Sequence, residues 1–120
     1  MKDPMTPQEL QLELITQASF NNFNGLKIAW DLEAHQDLWE AVIMDRASTF
    51  KPIDLIKLRD LPKHFWNADT LFMIPKAGKR AELLALVSTW NPDELDYLPT
   101  NEAKLALGGS SSDVLRAWWD

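Results

Sequence analysis

The sequence predicts an α/β fold: a small, mainly parallel four-stranded sheet with covering helices, built partly from a helix-strand repeat and preceded by an N-terminal helix. Three observations carry that expectation. Segments of period two alternate with segments of helical period, which implies parallel pairing through crossover connections. The blocks Trp66–Pro75 and Trp90–Pro99 share Trp, Asn, Asp, Leu and Pro at an offset of 24 residues, the length of a helix plus a strand. Thr6-Pro7-Gln8-Glu9 has the form of a capping box with Pro at the first helical position, a strong start signal. With 46% hydrophobic residues in 120, the whole chain reads as one α/β domain, residues 1–5 being a flexible extension.

Each element follows from local pattern. Leu10, Leu14, Ile15 and Ala18 continue the first helix, and the Asn21–Gly25 turn formers end it. Leu26, Ile28 and Trp30 alternate with Lys27, Ala29 and Asp31, predicting a short strand. From Leu32 to about Arg46 the period becomes helical, with Leu32, His35, Trp39, Val42 and Ile43 on one face and Glu33, Asp37 and Glu40 on another. A loop over 47–52 leads to a helical stretch opened by Pro52 and kinked at Pro62. Thr70–Ile74 is apolar after its first residue, as a central strand requires, and Leu95–Leu98, broken by Asp96, suits an edge. Between them Leu83, Leu84, Val87 and Trp90 define an amphipathic helix. Thr100 caps a shorter helix through Leu105. After Gly108-Gly109, Ser112–Trp119 is a degenerate third copy of the repeat and the last strand, with Trp118 and Trp119 on opposite faces.

Charge is segregated along the chain. The net charge of −6 divides into −5 over residues 1–50, +4 over 51–80 and −5 over 81–120. A uniformly acidic chain would repel nucleic acid, whereas an acidic body with a basic middle can present faces of opposite sign to different partners; the Trp-rich segments lack the basic interleaving that single strands require, so a nucleic-acid partner is not expected. The absence of Cys excludes disulfides and thiolate chemistry and fits the cytoplasm. No apolar run is long enough for a membrane span, and the N-terminus lacks a secretory signal.

No constellation carries catalysis. Asp31, read as the last residue of a strand, would lie at the carboxyl edge of a parallel sheet, but no nucleophile or base set accompanies it. Asp31 and His35 are spaced to pair on a helix, and His35 reads as a half-buried histidine satisfied by that carboxylate. Two separated histidines make no metal motif, three acids on a helix face are solvated rather than ligating, and neither a metal nor a cofactor is expected. Asp69, Asp93 and Asp113 resemble a catalytic series, but they precede their strands and are expected to accept amides in helix-to-strand turns, helped by Asn67 and Asn91.

Two candidate surfaces remain. Asp31, Glu33, Asp37, Glu40 and Asp45 form a Lys- and Arg-free acidic helix that would dock on a protein with a basic surface, in the manner of an acidic inhibitor, immunity-type protein or regulatory adaptor. The alternative is a site for an anion or phosphate ligand, or a hydrolase-like one, at the carboxyl edge of the sheet. There Lys76, Gly78, Lys79 and Arg80 lie where a strand hands over to a helix N-terminus.

Overall fold

Residues 5–45, 58–64, 66, 68–108 and 112–120 are described by the computed structural model. In chain order they form α1 (Pro7–Thr16), β1 (Ser19–Phe20), β2 (Phe23–Asn24), α2 (Gly25–Ala34), β3 (Trp39–Asp45), a 3-10 helix (Leu58–Lys63), β4 (Thr70–Pro75), α3 (Arg80–Ser88), β5 (Glu94–Tyr97), α4 (Thr100–Ala106) and β6 (Leu115–Trp118). The capping box at Thr6 and Glu9 forms as expected, with both reciprocal hydrogen bonds present. Thr100 is the first residue of α4 rather than its cap; Pro99 occupies the cap position and makes no side-chain bond.

The sheet is not parallel. β1 and β2 make a small hairpin, and the other four strands lie in the order β3-β4-β6-β5 with every pairing antiparallel. The helix α3 does return the chain so that β5 runs in the direction of β4, as a crossover should. The two strands do not touch, because β6 enters between them and runs against both, leaving a split β-α-β unit. Thr70 and Glu94 both face Trp118, and Leu71 and Leu95 both face Ala117, so the 24-residue repeat becomes a pseudo-symmetry about β6. β6 is thus the strand the copies share rather than a third copy alongside them. β4 is central and β5 is an edge, as their compositions predict.

Two further expectations are corrected between α1 and β4. Residues 25–34 are helical, not a strand: Gly25, Ile28, Ala29 and Leu32 are buried at the i, i+3, i+4, i+7 spacing of a helix face, and the Asn24 side chain caps the first turn by accepting the Lys27 amide at 3.2 Å. Conversely, the helix expected from Leu32 to Arg46 survives only to Ala34, and Trp39–Asp45 is a strand. An irregularity in the ladder between Trp39 and Ala41 is the cause. A bulge inserts one residue, so Trp39 and Val42, both buried, stand three apart and imitate helical spacing. Of the helical stretch expected from Pro52, Leu58–Lys63 is a 3-10 helix containing Pro62, and residues 51–57 lie outside the described residues, as do Asn67 and residues 1–4.

One face of the sheet presents Val42, Met44, Leu71, Met73, Leu115 and Ala117. These pack in one buried cluster with Leu12 and Ile15 of α1, Ile28 and Leu32 of α2, and Leu83 and Val87 of α3. The opposite face carries Ile43, Phe72, Arg116 and Trp118 in successive registers and is only partly covered. α1 lies along the outer margin of β3. The Gln8 side-chain amide donates to the Val42 carbonyl at 2.7 Å and accepts the Val42 amide at 2.9 Å, and Gln11 accepts the Met44 amide at 3.3 Å. At the other margin Arg116 bridges Glu94 at 2.9 Å and Asp96 at 3.3 Å. No helix among the described residues is long and apolar enough to cross a membrane.

Candidate functional site

The outward face of α2 is the most unusual surface among the described residues. Because the buried stripe is Gly25, Ile28, Ala29 and Leu32, the 100° advance per residue turns Leu26, Trp30 and Glu33 toward solvent. Trp30 is 74% exposed and Leu26 is 68% exposed. They stand four residues apart and line a shallow depression of about 410 Å³ with Asn24, Lys27 and Asp31. A solvent-facing Trp carries a large apolar area that water solvates poorly, and such residues are enriched where proteins meet. The sequence reading missed both by placing them on a strand. The signal that would have found them is the Asn24 cap followed by the Gly25, Ile28, Ala29, Leu32 spacing.

The acidic residues divide into three groups. Asp31 belongs to the framework: its carboxylate accepts the Trp90 indole N–H at 2.8 Å and the Lys27 ammonium at 2.8 Å, tying α2 to the end of α3. Burial alone would raise the Asp31 carboxyl, but the bonds from Lys27 and Trp90 and the Lys27 charge outweigh it and hold the group below its ordinary value. Glu33, Asp37 and Glu40 are exposed on the C-terminal part of α2, the following turn and the start of β3. Asp45 is at the far end of β3, roughly 20 Å from Trp39 at the usual rise per residue. The expected continuous acidic helix therefore does not exist: Glu33 is on α2, three residues after Trp30, while Asp37 follows in the turn and Glu40 is at the start of β3. His35, expected to be half-buried, is the exposed C-cap residue of α2.

Asp31 yields a pH prediction. Its carboxyl is depressed in the folded state, so its contribution is fully present above the ordinary value of 3.8 and is lost as pH falls through the lower folded value. Asp31→Asn should lower stability by about 1 kcal/mol at pH 7, since the group is only partly buried. In urea unfolding followed from pH 7 to pH 2, the gap to wild type should close in the most acidic samples. A gap constant with pH would show that shape, not charge, holds Trp90 to α2.

The basic turn lies close to carboxylates and an aromatic ring of the same chain. Gly78 takes a left-handed conformation with φ 77°, and Lys79 occupies the cap position of α3 without a side-chain bond. Two of the three cations are drawn to neighbours: Lys79 stands 4.0 Å from Glu82, while Arg80 stands 3.7 Å from Asp113 and 4.1 Å over the Tyr97 ring, and Lys76 is exposed. Burial pushes the Tyr97 phenol up against the opposing charge of Arg80. The alternative site also loses its premise, since an antiparallel sheet has no common carboxyl edge and Asp31 is on a helix.

Two of the repeat aspartates make side-chain hydrogen bonds within the framework. Asp93 accepts the Asp120 backbone amide at 2.7 Å, and Asp69 accepts the Thr70 hydroxyl at 2.8 Å and the Trp118 indole at 3.3 Å. Asn91 adopts φ 56° in the tight turn expected of it. Among the described residues no three His, Asp or Glu side chains are grouped to hold a metal ion. Comparison with known proteins gives no match to a family model, a curated protein or a solved structure.

Proposed function

We propose that the protein works by binding, without catalysis, as a cytoplasmic inhibitor-like or adaptor protein whose α2 face docks on a basic protein surface. The single observation that carries this reading is Trp30, 74% exposed on a well-capped helix whose other face is fully committed to the core. Trp30 and Leu26 supply the apolar anchor, to be received by a recess on the partner. Glu33, Asp37 and Glu40 supply charge that steers a basic surface into place and discourages an acidic one. The same charge disfavours a symmetric pair of this chain, in which two acidic faces would meet.

Trp30→Ala and the charge reversal Glu33→Lys with Asp37→Lys are the test. Partners captured from native-cell extract on the wild-type protein should be lost on Trp30→Ala, with affinity falling about tenfold or more. The melting temperature should hold, because Trp30 supports nothing in the core. Affinity for the captured partner should fall as salt rises, and the double reversal should flatten that dependence. A partner retained by Trp30→Ala, or binding indifferent to both salt and charge reversal, would remove this function. A wild-type dimer dissolved by Trp30→Ala would instead assign the face to a second copy of the chain.

A further inference from the structure

Asn24 and Gly25 join β2 to α2, and theirs is the one Asn-Gly step in the sequence. Such a pair carries its own chemistry. The glycine nitrogen, once it has lost its proton, attacks the side-chain carbonyl carbon of the asparagine; the new C–N bond closes a succinimide ring, the bond to Nδ2 breaks, and that nitrogen leaves as ammonia. Water then opens the ring at either carbonyl, giving aspartate or isoaspartate, in which the main chain runs through the former side-chain methylene. Glycine favours the step because it has no Cβ to hinder the attack and its backbone rotates freely. The other asparagines are followed by Asn, Phe, Ala, Pro and Glu, which lack that freedom.

In the folded chain the groups this reaction needs are engaged elsewhere. The Gly25 amide donates to the Ala18 carbonyl at 3.0 Å and the residue is buried, so solvent base does not reach the proton that must leave. The Asn24 side-chain oxygen accepts the Lys27 amide at 3.2 Å, which commits the carboxamide to the first turn of α2. Gly25 lies so close to the Ile15 and Ala18 carbonyls that a Cβ would not fit, and Asn24 itself is held in register with Ser19 of β1. The step is therefore closed on both sides, by α1 and by the hairpin.

We propose that Asn24-Gly25 is a self-modification site guarded by the fold: it deamidates when α2 parts from α1, and its isoaspartyl product cannot close again. The two products differ in what they do to the cap. Aspartate keeps an oxygen for the Lys27 amide and adds negative charge where a helix N-terminus favours it. Isoaspartate lengthens the main chain between the pairing of Asn24 with Ser19 and the bond from Gly25 to Ala18, where the close contact with α1 leaves no slack. The chain thus acquires a covalent, one-way mark of having opened, and this holds whether or not the outer face of α2 docks on a partner.

The experiment is peptide mapping by mass spectrometry of the full chain held at mildly alkaline pH, folded in buffer or unfolded in guanidinium chloride, with isoaspartate told from aspartate by enzymatic methylation. Conversion at Asn24 should be at least about tenfold faster in the unfolded chain, because the folded one reacts only through its open fraction. After the denaturant is removed, the refolded fraction should contain aspartate at position 24 and be depleted of isoaspartate, which should collect in the misfolded fraction. Asn24→Asp, which carries the harmless product from the start, should fold and melt within a few degrees of wild type. Conversion as fast in the folded chain as in the unfolded one overturns the proposal, as does isoaspartate equally abundant in the refolded fraction and the starting mixture. Failure of Asn24→Asp to fold would show that loss of the carboxamide, not the lengthened main chain, is what the fold rejects, and overturns the one-way mark.

Discussion

Gly25→Ala is expected to lower the melting temperature by more than about 10 °C, or to prevent folding altogether. Gly25 opens α2 where that helix meets the end of α1, and its amide donates to the Ala18 carbonyl at 3.0 Å. A Cβ at this position would overlap the carbonyl oxygens of Ile15 and Ala18. Both obstacles are backbone, so no side chain can swing aside, and the two helices must separate. Alanine favours a helix over glycine by about 1 kcal/mol, which is too little to offset such a displacement. Separating α1 from α2 also loosens Ile15 and Ile28, both fully buried, so the net cost should be about 3 kcal/mol or more. Thermal unfolding followed by circular dichroism checks it. A variant melting within a few degrees of wild type would mean that α1 and α2 are not closely apposed.

Trp119→Ala is expected to cost about 3–5 kcal/mol, the range for removing a large aromatic from a packed core. Trp119 is 0% exposed, meets Phe23 edge to face at a centroid distance of 4.8 Å, and donates its indole N–H to the Trp90 carbonyl at 3.2 Å. It therefore joins the β1–β2 hairpin, the end of α3 and the end of β6. Trp119→Phe retains most of the apolar area and loses the hydrogen bond, so about 1–2 kcal/mol of the loss should remain. Trp118, one residue earlier and on the other face, is only partly buried, and Trp118→Ala should cost less. Equilibrium urea unfolding orders the three variants. If Trp118→Ala proved the more damaging, the assignment of the inner face would be reversed.

Local chemistry was readable wherever one short-range rule decided the outcome. Thr6 and Glu9 announce α1 because a capping box needs only four residues, and β4 stands out because the apolar run from Leu71 to Ile74 suits a strand paired on both edges. The repeat was readable too, since Thr70 and Glu94 face the same residue of β6. Pairing partners were not: whether β4 and β5 touch depends on where the last strand inserts, a contact made across the length of the chain. Trp39 to Asp45 misled for a different reason, because one bulge residue shifted the phase of the alternation. At Leu26–Asp31 both periods fit, and only burial of Ala29 with exposure of Trp30 separates helix from strand. The acidic residues read as one helix are thus divided among α2, the turn after it and β3.

The Gln8 side chain facing Val42 makes the same pair of bonds that a neighbouring peptide group would make. β3 therefore ends the sheet as though a fifth strand were already in place, although the chain there is helical. At the opposite margin β5 is short and carries Glu94 and Asp96, so an incoming chain would meet charge. Both routes to fibril growth by strand addition are thus obstructed, one by a mimic of the ladder and the other by electrostatics. The exposed Trp30 adds no further route, because it sits on a helix, where it has no ladder to extend.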